Sequence, residues 1–105
     1  MAKLKLYLSG PIKGLDRADY MKRFDKAEEW VRVWCAHQGE FDYEIVNPAR
    51  LPQVQSSWAD YLIRDLMLLK ECHLLVMLPD WQMSFGCAVE NQFAKGMQMN
   101  IIEIE

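Results

Sequence analysis

Two acidic residues stand where the surrounding pattern calls for apolar ones. Trp58, Tyr61, Asp65, Leu68 and Cys72 recur at helical spacing and share one face, on which Asp65 is the single charge. Met83, Cys87, Glu90, Ala94 and Met97 repeat the arrangement, with Glu90 as the single charge. A carboxylate among apolar neighbours loses hydration, and its pKa rises unless hydrogen bonds or cations compensate. One such acid reads equally well as the rim of a half-buried stripe. Two of them on neighbouring helices point to a site, with acid–base or nucleophilic chemistry as its content.

The address of Glu90 strengthens that reading. It lies nearly two turns into a helix that opens with Ser84-Phe85-Gly86-Cys87-Ala88. The first backbone N–H groups of such a helix, with the Ser84 hydroxyl, can hold a phosphate. Ser84 is also a good N-cap, and the two roles coexist. The loop Ser9-Gly10-Pro11-Ile12-Lys13-Gly14 is a second place for close backbone approach to a ligand. It carries neither a GxGxxG nor a GxxxxGK[ST] pattern, so no dinucleotide fingerprint and no P-loop is present. Tyr7 points to the strand face opposite Leu6 and Leu8, toward the site. Trp81, beside Asp80 in the loop 79–83, reads either as a platform for a base or as a loop anchor. Cys35 with His37, and Cys72 with His73, lack metal-ligand spacing, so no metal site is expected and the thiols read as buried and inert.

The elements that must position these residues follow from the apolar pattern. Leu4–Leu8 reads as a strand, Asp16 with Asp19 as a capping box, and the spacing of Tyr20, Phe24, Ala27, Val31 and Trp34 predicts a helix to about Gln38, stopped at Gly39. Tyr43–Val46 is a second strand, and 49–56 is loop. Ser57 with Asp60 caps a helix running to about Glu71. His73–Leu78 is a continuous apolar strand of the kind covered on both faces. A third helix spans about Ser84–Lys95 and ends at Gly96, and Asn100–Ile104 is the last strand. This βαβαβαβ order predicts an α/β fold of the Rossmann-like class. The expected architecture is one four-stranded parallel sheet of flavodoxin-like order 2-1-3-4, with three helices. Ligands of such sheets sit at the switch point, where the loops 9–15 and 79–84 meet.

Composition sets the outer bounds. The 105 residues make one domain, 1–105, with 51% hydrophobic and 26% charged residues, the balance of a folded core. The net charge of −3 argues against a nucleic-acid polymer as partner, because phosphate neutralisation needs clustered Lys and Arg. Three cysteines without CxxC spacing argue against a disulfide framework and for a reducing, cytoplasmic compartment. No apolar run is long enough to span a membrane, and the N-terminus lacks the stretch of a signal peptide.

The segment Tyr7-Leu8-Ser9-Gly10-Pro11-Ile12-Lys13-Gly14, then Asp65, then Ser84-Phe85-Gly86-Cys87-Ala88-Val89-Glu90 resembles the nucleoside 2-deoxyribosyltransferase superfamily. The likeness is greatest to its 2′-deoxynucleoside 5′-phosphate N-hydrolase branch. The resemblance implies cleavage of the N-glycosidic bond of a deoxynucleotide, by hydrolysis or by base exchange, through a covalent glycosyl ester on Glu90. It implies that Asp65 binds and orients the substrate, that Tyr7 lies beside the nucleophile and that Ser84 holds a 5′-phosphate. It also implies that no metal or organic cofactor is needed. The remaining residues expected at the substrate are Ser9, Gly10, Ile12, Lys13, Gly14, Asp80, Trp81 and Gly86. Asp65 and Asp80 are both open as donors of the proton that the departing base takes up. Two readings compete: a nucleotide-binding module without turnover, and an N-glycosidase acting on the nicotinamide bond of NAD. Four strands and three helices consume the chain and leave no lid, so the site is expected to be open on one side and closed by another copy in a homodimer or higher homo-oligomer.

Overall fold

The alternation of short apolar runs with amphipathic stretches is realised element by element. In a computed structural model, which describes residues 3–51 and 57–105, the order is β1 (Leu4–Ser9), α1 (Arg17–Gln38), β2 (Tyr43–Val46), α2 (Trp58–Leu69), β3 (Leu74–Met77), α3 (Phe85–Gly96) and β4 (Asn100–Glu103). Short 3₁₀ turns at Pro48–Arg50 and Trp81–Met83 follow β2 and precede α3. The four strands are parallel and lie in the order β2-β1-β3-β4. The expected fold class is therefore the observed one. Residues 52–56 of the expected 49–56 loop lie outside the described residues. Among the described residues, no helix is long and apolar enough to cross a membrane.

Strand alternation divides the core in two and decides where the site is built. Leu6, Leu8, Leu74 and Val76 face α1 and bury against Tyr20, Phe24, Ala27, Val31 and Cys35. Tyr7, Leu75 and Met77 face the other way, against Leu69, Cys72, Cys87 and Ala94 of the α2–α3 layer. The period of two puts Ser9 on the same face as Tyr7, under α3. β3 is buried at all four positions, as its unbroken apolar run requires.

The caps follow local chemistry, with two corrections. Ser57 and Asp60 form the expected reciprocal box: the Asp60 N–H donates to Ser57 Oγ, and the Ser57 N–H donates to Asp60 Oδ2. Asp16 does occupy the N-cap of α1, but its side chain caps nothing. Its backbone carbonyl accepts from Asp19 and Tyr20, while the exposed carboxylate stays in water. α3 runs one residue past its expected end, with Gly96 as its last helical residue. The left-handed position is Gln98 (φ 59°), and the N–H groups of Gln98 and Met99 close back onto Lys95 and Ala94 in a Schellman motif.

The apolar stripes are also shorter than their spacing suggests. Met83 is 86% exposed, because it belongs to the 3₁₀ turn and not to α3, and Met97 lies beyond the helix end. In α2 the fully buried residue is Leu69 rather than its neighbour Leu68.

One buried charge holds the far side of the sheet. Glu28 of α1 accepts from Arg32 (3.0 Å) and from Arg50 Nε (2.7 Å), and also from the Asn47 amide. Asn47 Oδ1 in turn accepts from the Ala49 N–H. Burial alone would raise the Glu28 carboxyl, but these donors outweigh it and hold the pKa below its ordinary value. The cluster ties the turn after β2 to α1 and takes no part in the site.

Candidate active site

β1 ends in the sheet centre, at the switch point between β1 and β3, and its last residue is Ser9. The Ser9 hydroxyl donates to Glu90 Oε1 at 2.8 Å. Glu90 is only 6% exposed, and its Oε2 has no hydrogen-bond partner. The Tyr7 hydroxyl, fully buried on the same strand face, is likewise unpartnered. It lies beside the Glu90 carboxylate, near enough for each group to shift the other's pKa, but without the distance and angle of a good hydrogen bond. A buried carboxylate thus has one oxygen fixed and the other left unsatisfied, a costly arrangement that folding alone does not call for.

Electrostatics follow from this burial. Desolvation pushes the Glu90 carboxyl up to about 7; the hydroxyls of Tyr7 and Ser9 restrain the rise, and the charge of Asp65 adds to it. Burial also raises Asp65, against the pull of Arg64, whose Nε and Nη2 both donate to Asp65 Oδ1 at 3.1 and 3.0 Å. Tyr7 is held well above the usual phenol range, first by burial and then by the charges of Glu90 and Asp65. Burial raises the Cys87 thiol in the same way, so it is not a nucleophile at neutral pH.

Glu90, Asp65, Arg64 and Cys87 border one cavity of about 310 Å³. Gly10, Ile12, Lys13, Asp65, Ser84, Gly86 and Glu90 all line it, so the structure brings together most of the residues expected from sequence. Tyr7 and Ser9 form the buried support under Glu90. Ser84 caps α3 by accepting from the Cys87 N–H at 3.3 Å. Gly10 is required by packing: a Cβ there would stand 2.7 Å from Leu78 Cδ2.

Three expected residues stand elsewhere. Gly14 lines neither this cavity nor its neighbour and serves the turn through its left-handed backbone (φ 82°). Asp80 lines the neighbouring cleft, 3.9 Å from Arg23. Trp81 is an anchor rather than a platform. Its ring packs on the α2–α3 side of the sheet, and its Nε1–H donates to Glu103 of β4 at 2.8 Å.

Trp58, Tyr61, Arg64 and Cys87 also line the Glu90 cavity and were not among the expected substrate contacts. Trp58 and Tyr61 share the helical stripe of Asp65, and Cys87 that of Glu90, so the signal was present in the spacing. Arg64 lies off the stripe, and only the fold reveals it.

A family model described as a domain of unknown function, DUF4406, matches residues 4–103. The chain belongs to the DUF4406 family. The match spans every element from β1 to β4, and with them every residue of the candidate site. No curated protein and no solved structure matches the chain.

Proposed function

We propose that this DUF4406 protein is an N-glycosidase of the nucleoside 2-deoxyribosyltransferase type, with Glu90 as nucleophile and a deoxynucleoside 5′-phosphate as substrate. The observation that carries the reading is the Glu90 carboxylate, held by Ser9 through one oxygen and unpartnered at the other, at the wall of a nucleotide-sized cavity. A carboxylate oxygen of Glu90 attacks C1′ of the sugar. The O–C1′ bond forms as the C1′–N bond breaks, giving a glycosyl ester through an oxocarbenium-like transition state.

The base departs with the bonding electrons and takes up a proton. Asp65 is the better donor of the two candidates, because it lines the cavity of Glu90 and burial favours its protonated form, whereas Asp80 lines only the neighbouring cleft. Water then opens the ester in a hydrolase, or a second base does so in a transferase. The phosphate is placed at Ser84 and Gly86, at the start of α3. The indole of Trp58 and the ring of Tyr61 offer the base an aromatic wall.

A homodimer is part of the proposal. Phe85 (72% exposed) and Met83 stand at the mouth of the site, with Ile63 and Met67 exposed on α2, and a second copy would cover them.

Acid quenching during turnover, followed by peptide mass spectrometry, tests the mechanism. The peptide containing Glu90 is expected to gain the mass of one deoxyribosyl phosphate. Free base released with no adduct, at a rate unchanged in Glu90→Ala, would remove Glu90 from the reaction.

A further inference from the structure

The groove around Glu90 does not stop at the start of α3. A second cleft of about 560 Å³, larger than the 310 Å³ of the Glu90 cavity, shares Lys13, Trp58, Ser84 and Gly86 with it. The two clefts are therefore an inner and an outer lobe with a common wall. Arg23 of α1 and Asp80 line the outer lobe only. The Lys13 ammonium lies 5.3 Å from the centre of the Trp58 ring, and Arg23 meets Asp80 loosely, at 3.9 Å, with both side chains open to solvent. With two cations against one carboxylate, the outer lobe carries a net positive charge.

The order of these groups along the groove constrains what fits. Glu90 fixes the anomeric carbon in the inner lobe. A phosphate on that sugar meets Ser84 and Gly86 at the common wall, where the first N–H groups of α3 lack intrahelical acceptors. A monophosphate ends there and leaves the larger lobe, with Arg23, unused. Whatever continues beyond the first phosphate enters the lobe that Lys13 and Arg23 line.

We infer that the groove takes a nucleotide whose 5′ end carries a pyrophosphate, the first phosphate at Ser84–Gly86 and the second between Lys13 and Arg23. The inference rests on the N-glycosidase reading and names its substrate class; the bond broken and the part played by Glu90 are unchanged. Such a pyrophosphate belongs either to a nucleoside diphosphate or to a dinucleotide. In a dinucleotide, the second nucleoside would lie against Leu15, Met83 and Phe85 of the outer lobe.

The test separates binding from turnover. Glu90→Gln protein, which cannot form the ester, is titrated calorimetrically at low salt with a deoxynucleoside monophosphate, the matching diphosphate, and NAD. At least one pyrophosphate-bearing nucleotide is expected to bind about tenfold or more tightly than the monophosphate, through charge-assisted contacts. Adding Arg23→Gln is expected to bring that ratio to within about twofold of unity, and raising the salt to shrink it, since both cations are exposed. A ratio at or below one, a ratio that Arg23→Gln leaves unchanged, or no binding of any of the three overturns the inference. The same panel is assayed for base release with wild-type protein. Release from none of them defeats the N-glycosidase reading, while the binding ratio still decides this one. Tighter binding of NAD than of the diphosphate assigns the outer lobe to a second nucleoside, and the reverse order assigns it to a terminal phosphate chain.

Discussion

Glu90 is a costly residue to bury and the one on which the proposed chemistry depends. Its folded-state pKa of about 7 lies above the ordinary carboxyl value, so the native state binds a proton more tightly than the unfolded chain does. Stability from this group is therefore greatest at low pH and is lost as pH rises toward and through about 7, a penalty of roughly 3 kcal/mol when complete. Glu90→Gln removes the titration. The stability of Glu90→Gln relative to wild type should rise by about 2–3 kcal/mol between about pH 5 and pH 8, as read from urea midpoints. A difference that stays flat with pH would mean that the carboxyl is not desolvated.

In the proposed mechanism the carboxyls of Glu90 and Asp65 together set the pH–rate profile. The mechanism needs Glu90 ionised and Asp65 protonated, so the wild-type profile should be bell-shaped, with limbs that belong to the pair. Asp65→Asn keeps only the requirement at Glu90. Its slower rate should rise to a plateau with a midpoint at or below about 7, because the neighbouring charge that raises Glu90 is gone. A bell that survives in Asp65→Asn would place the proton donor elsewhere. At this scale the sequence was informative: a lone acid in an apolar stripe is visible from spacing, and both such acids line the site. The two readings of Trp81 stayed open, because a loop position does not show which way a ring turns, and its bond to Glu103 spans residues far apart in sequence.

Among the elements, the strands and helices were legible because their apolar periods are distinct and the parallel order leaves few topologies. Their ends were less so. Gly96 looked like a stop, yet the chain turns at Gln98, where only φ decides. Gln98→Gly should stabilise the protein by about 0.5–1 kcal/mol, since glycine adopts that backbone without a Cβ clash. An unchanged melting temperature would show that Gln98 is not strained there. Gly10 is the opposite case. Gly10→Ala drives a methyl into Leu78 and should cost about 1–3 kcal/mol by overpacking, with Ser9 and its bond to Glu90 displaced as well. Retention of full stability would show that β1 and β3 have room to part. The Glu28 cluster could not be read from sequence, because Asn47 and Arg50 reach Glu28 only once β2 lies beside β1.

For the whole molecule, a four-stranded sheet with α1 on one face and the α2–α3 layer on the other builds the floor and walls of a site, and no cover stands among the described residues. The exposed Met83 and Phe85 at the mouth make a second copy the expected cover. Sedimentation at micromolar concentration should show a dimer, and Phe85→Asp should shift it toward monomer; a wild-type monomer would contradict the assembly. The central claim, that Glu90 breaks an N-glycosidic bond, is tested most directly by chromatography of free base released from the four deoxynucleoside monophosphates, wild type against Glu90→Ala. The account predicts release from at least one of them and a loss of about 10³-fold or more in the variant. No release at high protein concentration, or an equal rate in Glu90→Ala, would contradict it.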